Sequence, residues 1–134
     1  MTIDPEISRF LEQLDKDGHL DNTIVRIFSD HGDHVNPIGY ETTSGITERF
    51  NPFLFVMIPE SWELKIGKNL EANTQKLLTA YDFFVSDLAV FNKKSSFDYG
   101  KDMYFEELPK GRTCKDLKLW DTNKLCYCQI KNFS

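Results

Sequence analysis

The chain is 134 residues long, which is the length of one ordinary domain. Hydrophobic residues make up 40% of it, and 11 Phe side chains among them supply enough apolar material for a folded core. The formal net charge of −5 provides no basic surface to match a phosphate backbone, so a nucleic-acid-binding protein is not expected. No apolar run approaches the length of a membrane span, and the first residues lack the charged-then-apolar pattern of a signal peptide.

The first predicted element is an amphipathic helix that begins near Asp4, a good N-cap residue followed by a proline suited to the first turn. Apolar residues recur at the i, i+3, i+4 and i+7 positions of one helix face, namely Ile7, Phe10, Leu11 and Leu14. Gly18 predicts the end of this helix. The β-branched and aromatic run at 24–28 then predicts a buried strand.

This strand ends in Ser29-Asp30-His31-Gly32, which is the main candidate site. Ligands of open α/β sheets bind at the carboxyl ends of strands. Asp30 offers a hard oxygen ligand and His31 a nitrogen ligand, a combination that suits zinc, manganese or calcium. The alternative is a simple turn, in which Asp30 caps the next element and His31 lies on the surface. We predict a divalent metal ion bound by Asp30 and His31.

A polar loop is predicted from the end of this site to Arg49, at a length where a loop is usually functional or disordered. Asp33 and His34 add potential metal ligands, although a solvated polar loop is the simpler interpretation of both. Arg49 could hold an anionic substrate through a bidentate contact, or it could be an exposed residue just before the next strand.

The run 53–58 is apolar at every position, which is typical of a strand covered on both faces. A weak helix is predicted over 60–76, and a stronger one begins at Thr79 with Asp82 completing a capping box. Two buried strands with helices between and around them indicate part of a larger, mostly parallel sheet.

Three cysteines, Cys114, Cys126 and Cys128, lie in the last fifth of the chain. They contain no paired Cys-x-x-Cys knuckles, so a structural zinc site is not expected. A disulfide and an oxidising compartment are favoured, although an odd number leaves one thiol over. We predict a partial α/β domain over 1–100 and an irregular, Cys-containing tail over 101–134.

From Leu20 to Asp33 the sequence resembles the sulfatase-like members of the alkaline phosphatase superfamily. More narrowly, it resembles the family of uncharacterised sulfatase-like proteins known as domain of unknown function 229. The later segments that carry the resemblance are Thr47-Glu48-Arg49-Phe50, the strand between Pro52 and Pro59, Leu78-Thr79-Ala80-Tyr81-Asp82, Arg112-Thr113-Cys114, and the pair Cys126 and Cys128.

This resemblance implies an α/β/α sandwich around a mixed, mostly parallel sheet, of which the chain would be the C-terminal part. It implies that Asp30 and His31 are metal ligands in a secreted or membrane-anchored hydrolase of sulfate or phosphate esters, in the extracellular space or the secretory pathway. The nucleophile and the other acidic ligands would lie upstream, so the chain alone is expected to be inactive. After Asp82, where many relatives place a histidine, this chain has Phe83 and Phe84.

A second interpretation is a non-catalytic extracellular binding module, a pseudoenzyme that uses exposed sheet edges to associate with its missing N-terminal part or with another protein chain. A third is that the chain does not fold stably, because a two-strand remnant buries little area against a large loss of conformational entropy.

Overall fold

The computed structural model describes residues 3–33, 35–37, 41–96 and 98–117. Helix α1 spans Asp4–Lys16 and is followed by a 3-10 turn at His19–Asn22. Gly18 stands between them with a φ of 72°, in the left-handed region that favours glycine. The predicted amphipathic helix and its end at Gly18 are therefore confirmed.

Strands β1, Val25–Phe28, and β2, Leu54–Met57, form an antiparallel two-stranded sheet, the only sheet within the described ranges. In its register Val25 lies opposite Met57 and Phe28 opposite Leu54. The prediction of an α/β/α sandwich around a mostly parallel sheet is therefore wrong.

The apolar sequence of β2 explains this error. Successive side chains of a strand point to opposite faces. Leu54 and Val56 pack against the core, whereas Phe55 on the other face is 51% exposed. The unbroken apolar run thus includes an exposed Phe and does not require cover on both faces. A continuous apolar run favours a parallel sheet but does not require one, and here it belongs to an antiparallel pair.

Helix α2, Thr43–Phe50, occupies part of the segment predicted as a loop, and that prediction is wrong. Its N-cap is Thr42, whose hydroxyl accepts a hydrogen bond of 3.0 Å from the backbone N–H of Gly45. Weak helix formers fill the first turn, so the sequence favoured a loop, while the Thr42 cap stabilises a helix there and its partner Gly45 is buried.

Helix α3 follows β2 as three consecutive segments: Glu60–Trp62, a π-helical turn at Glu63–Gly67, and Lys68–Asn73. Helix α4 spans Ala80–Val90. It begins with the predicted capping box between Thr79 and Asp82, which is confirmed. Within the described part of the chain, no helix is both long enough and apolar enough to cross a membrane.

The core lies where one face of the sheet meets α3, α4 and the described segment 98–117, which forms turns and no helix or strand. Its buried hydrophobic side chains are Ile66, Met103, Tyr104, Leu108, Cys114 and Leu117. Asn73 attaches the segment to α3: its side-chain amide donates to the carbonyls of Met103 and Glu106, at 3.0 and 2.9 Å. The predicted boundary between 100 and 101 stays a prediction.

A buried ion pair joins α4 to the same segment. Asp82 is 0% exposed and Arg112 4% exposed in their side chains. The two terminal guanidinium nitrogens donate to the two carboxylate oxygens at 2.9 and 2.8 Å. Arg112 also donates to the backbone carbonyls of Leu77 and Tyr99. Its planar guanidinium group therefore connects the turn before α4, the first turn of α4 and the segment 98–117.

Candidate metal site

The candidate site lies just beyond the end of β1, against the last turn of α2. The N–H of Gly32 donates to the carbonyl of Arg49 at 3.2 Å. A Cβ at Gly32 would stand 2.6 Å from the carbonyl oxygen of Glu48, closer than such atoms approach in proteins. Glycine is therefore required at this position for the two backbones to meet.

Asp30 and His31 lie side by side with their side chains in contact. The Nε2 atom of His31 is 3.2 Å from Oδ2 of Asp30. The other carboxylate oxygen, Oδ1, accepts the backbone N–H of His31 at 2.9 Å. Both side chains are accessible to solvent, Asp30 at 83% and His31 at 44%.

The backbone of Gly32 sets the orientation of the imidazole ring. Nδ1 of His31 is 2.7 Å from the carbonyl oxygen of Gly32, and a carbonyl oxygen only accepts, so Nδ1 carries a proton and donates it. In a neutral ring Nε2 is then an acceptor that faces a carboxylate, also an acceptor. A cation bound between these two acceptors would stabilise the arrangement.

These features fit a divalent metal ion. A histidine that binds a metal through one nitrogen usually donates its other N–H to a carbonyl or carboxylate, as Nδ1 does here. The separation of 3.2 Å between Nε2 and Oδ2 suits two ligands of one tetrahedral zinc ion, whose bonds are about 2.0–2.2 Å long. The two donors alone do not complete a coordination sphere.

Asp33 and Arg49, the other described candidates near this site, make separate contacts. Oδ1 of Asp33 accepts the backbone N–H groups of Val35 and Asn36, at 2.9 and 3.3 Å, and thereby closes a turn. The guanidinium of Arg49 lies over the ring of Phe50, 5.3 Å from its centroid. His34 lies outside the described residues. Within the described ranges no group of three or more His, Cys, Asp or Glu side chains could hold a metal ion.

A cavity of about 800 Å³ has Asp30 among its lining residues and was not predicted from the sequence. Most of its lining is apolar, with Phe28, Leu54 and Leu78 among its walls. Its walls come from the end of β1, from β2, and from the region between α3 and α4, which are far apart in sequence. No local pattern could have indicated it.

A second polar cluster, also not predicted, lies on the core side of the sheet. Arg26 donates from Nη2 to Asp87 at 2.6 Å, and its guanidinium lies 5.3 Å from the ring centroid of Phe83. Its Nη1 and the hydroxyl of Tyr104 are buried with no hydrogen-bond partner among the described residues. Burial raises the pKa of the Tyr104 phenol, and the Arg26 guanidinium opposes that rise only in part.

The fold and the site define a small protein of helices around a two-stranded sheet, with an exposed carboxylate–imidazole pair after the first strand. The chain belongs to the family described as proteins of unknown function, DUF229, which it matches over residues 1–134. Neither the curated proteins nor the solved structures contain a match to it. Membership of this family confirms the narrower resemblance, whereas the sulfatase-like superfamily stays a prediction.

Proposed function

We propose that this chain supplies two ligands, Asp30 and His31, to a divalent metal site in a sulfatase-like hydrolase of phosphate or sulfate esters. The observation that carries the proposal is the geometry of the pair. The Gly32 carbonyl orients the imidazole so that Nε2 faces Oδ2 of Asp30 at 3.2 Å, and a cation is the natural complement of two facing acceptors.

Each residue has a separate task in this proposal. A bound divalent ion would polarise an ester oxygen and lower the pKa of a nucleophile. Asp30 contributes an oxygen ligand and part of the charge that holds the ion. His31 contributes Nε2, while its Nδ1 proton remains on the Gly32 carbonyl and fixes the ring. Arg49, at the end of α2 beside Gly32, provides a positive charge for an anionic ester.

The chain by itself is proposed to have no turnover. A catalytic metal site needs about three protein ligands and an open position for water or substrate. Asp30 and His31 supply two. The remaining ligands and an activated oxygen nucleophile would come from outside the described residues, supplied by the rest of the domain or by another chain.

Manganese binding tests the site directly. Mn²⁺ prefers oxygen and nitrogen ligands, so the cysteines do not compete for it. Added to the isolated chain, the ion should broaden the ring NMR signals of His31 more than those of His19. With two protein ligands, affinity should be weak, with a Kd of about 1 mM.

Asp30→Asn and His31→Gln are the informative variants, because each keeps the approximate shape and removes one ligand. Selective broadening should vanish in Asp30→Asn, and the relaxation enhancement of water by bound Mn²⁺ should fall in both variants. His19→Gln is the matched control, since His19 lies in the exposed 3-10 turn. Equal Mn²⁺ binding by Asp30→Asn and the unmodified chain would refute the site.

Turnover is measured with nitrophenyl phosphate and nitrophenyl sulfate in the presence of Zn²⁺, Mn²⁺ or Ca²⁺. We expect rates at the level of the buffer for the isolated chain. Metal-dependent hydrolysis that disappears in Asp30→Ala would contradict the proposed inactivity and would show that the chain completes the site by itself.

The second candidate function is a non-catalytic extracellular interaction module. The number of exposed large apolar side chains favours it: Phe28, Phe53, Phe55 and Phe84 are all exposed around the sheet and α4. In this proposal an extracellular or secretory location is accompanied by a disulfide that includes the buried Cys114. Mapping of the cysteines by mass spectrometry would detect a disulfide between Cys114 and Cys126 or Cys128. Three reduced thiols in secreted protein would exclude this disulfide.

A further inference from the structure

The outer edge of β2 can be located from the sheet register. The N–H of Ser29 donates to the carbonyl of Phe53 at 3.2 Å. Hydrogen-bonded pairs alternate along an antiparallel ladder, so the next bonded residues of β2 are Phe55 and Met57. The backbone N–H and C=O groups of Leu54 and Val56 therefore point away from β1. Among the described residues no strand pairs with that edge.

The cavity of about 800 Å³ lies beside β2 and the end of β1. Its lining includes four successive residues, 53–56. Successive side chains point to opposite faces, so a cavity on one face alone would touch only every second side chain. The rest of the lining includes Leu70, Leu77 and Leu78, together with the charged Glu71 and Lys76. The outer edge of β2 thus borders a groove whose lining is mainly apolar.

This edge lacks the usual protection. Proteins prevent unwanted pairing at sheet edges with charged side chains, prolines or bulges. The Leu54–Met57 strand has no charge and no proline, and its two prolines, Pro52 and Pro59, lie outside it. Phe53 is 59% exposed beside it. An unprotected edge in an apolar groove is typical of a strand that is covered by a partner.

We propose that the groove binds an extended peptide segment of another polypeptide, which adds to β2 as a third strand. Such a segment would have apolar side chains at alternate positions and no charge at its centre. The outward backbone groups of Leu54 and Val56 distinguish this ligand from a small apolar molecule, which could not satisfy them. The volume lies within the about 300–1,000 Å³ of known ligand sites. The inference rests on the second candidate function and is independent of the metal proposal.

Amide hydrogen exchange followed by NMR tests this strand addition. The probe is a soluble peptide of about seven residues that alternates valine and threonine, with blocked termini. In the chain alone, the amides of Leu54 and Val56 should exchange faster than those of Phe55 and Met57, which bond to β1. At a peptide concentration that occupies about 90% of the sites, exchange at Leu54 and Val56 should slow about tenfold, with little change at Phe55.

A version of the peptide that is N-methylated at every residue provides the matched control. It keeps the side chains but has no backbone N–H group on either edge of an added strand. Strand addition requires that the unmodified peptide binds and that this version does not. A Val56→Pro variant removes one outward N–H while leaving the bonds to β1 in place, and it should weaken binding of the unmodified peptide.

Several outcomes would overturn the proposal. Equal binding of the unmodified and the fully N-methylated peptide would indicate non-specific apolar contact. Slow exchange of Leu54 and Val56 in the chain alone would mean that the edge is already covered, and a mass above that of one chain would then identify a second copy. If the chain binds another partner while these two amides still exchange quickly, the interaction function stands and the β2 site is wrong. Unchanged exchange with the peptide likewise refutes it.

Discussion

Two carboxylates of this protein, Asp82 and Asp30, each contact a basic side chain, but in opposite surroundings. The Asp82–Arg112 pair is buried, with both carboxylate oxygens bonded to guanidinium nitrogens and Oδ1 also accepting the N–H of Lys101 at 2.7 Å. The Asp30–His31 pair is exposed, and Nε2 of His31 lies 3.2 Å from Oδ2 of Asp30. The first pair lies in the interior of the protein, and the second lies at the surface.

This difference separates a structural role from a candidate functional one. A buried charge must be paired and hydrogen-bonded, since its loss of hydration costs several kcal/mol. An exposed pair contributes about 0–1 kcal/mol to stability, so stability gives little reason for its geometry. In the proposed function, the ring orientation that the Gly32 carbonyl imposes on His31 serves ligand binding.

The largest expected effect is on the buried pair. Asp82→Asn keeps the shape of the side chain but leaves the Arg112 guanidinium without a counter-charge in the interior. We expect the free energy of unfolding to fall by about 3–5 kcal/mol in urea denaturation. A loss below about 1 kcal/mol would show that the pair is accessible to water and would remove the contrast with Asp30.

Gly32→Ala should have the next largest effect, because the new Cβ would meet the backbone of Glu48 and Arg49 at 2.6 and 2.9 Å. The end of α2 would have to move away from the metal-site candidate, at a cost of about 1–3 kcal/mol. Urea denaturation measures this cost, and ¹⁵N NMR of the His31 ring reports whether Nδ1 still carries the proton. If Nδ1 keeps its proton and the free energy of unfolding is also unchanged, the close approach of Gly32 to the end of α2 is not maintained in solution.

Tyr104→Phe tests the buried hydroxyl that has no hydrogen-bond partner among the described residues. Burial raises the pKa of this phenol, so the folded state keeps its proton after the unfolded state begins to ionise near pH 10. The raised pKa therefore adds to the free energy of unfolding. This contribution is complete below about pH 10, and it is lost as the pH rises towards and through the pKa of the folded state.

The Phe variant should therefore resist alkaline unfolding better than the unmodified chain, while differing from it by less than about 1 kcal/mol at neutral pH. Urea denaturation at pH 7 and at about pH 11 gives the comparison. A parallel decline of both proteins between the two pH values would show that the Tyr104 hydroxyl is solvated.

The smallest expected effect is that of Asp30→Asn, the matched counterpart of Asp82→Asn. Because Asp30 is 83% exposed, its replacement should change the free energy of unfolding by no more than about 0.5 kcal/mol in metal-free buffer. A large loss would assign Asp30 a structural role in the turn, which is the alternative interpretation of the site.

Local patterns predicted the elements whose signals lie within a few residues. The apolar periodicity and Gly18 gave α1 and its end, and Thr79 with Asp82 gave the start of α4. They did not give α2, since its first turn has weak helix formers and depends on one cap at Thr42. They placed Asp30 and His31 after a strand, and the metal ion itself stays a prediction.

Contacts between distant segments were not predictable in this way. The sequence identified Arg112 and Asp82 in two separate motifs, but their contact across 30 positions exists only in the folded chain. The same is true of the segment 98–117, which has little periodicity and still supplies Met103, Tyr104 and Leu108 to the core.

The sequence by itself determined the amphipathic helix α1 and its end, the start of α4 at its capping box, and the place where a carboxylate and an imidazole stand together, since these depend on neighbouring residues and on the preferences of caps, turns and periodic faces. Only the tertiary structure decided the antiparallel direction of the sheet, the burial of the Asp82–Arg112 pair and the groove beside β2. Each of these arises when segments far apart in sequence share one core, and the free energy of that packing is not a property of any one segment.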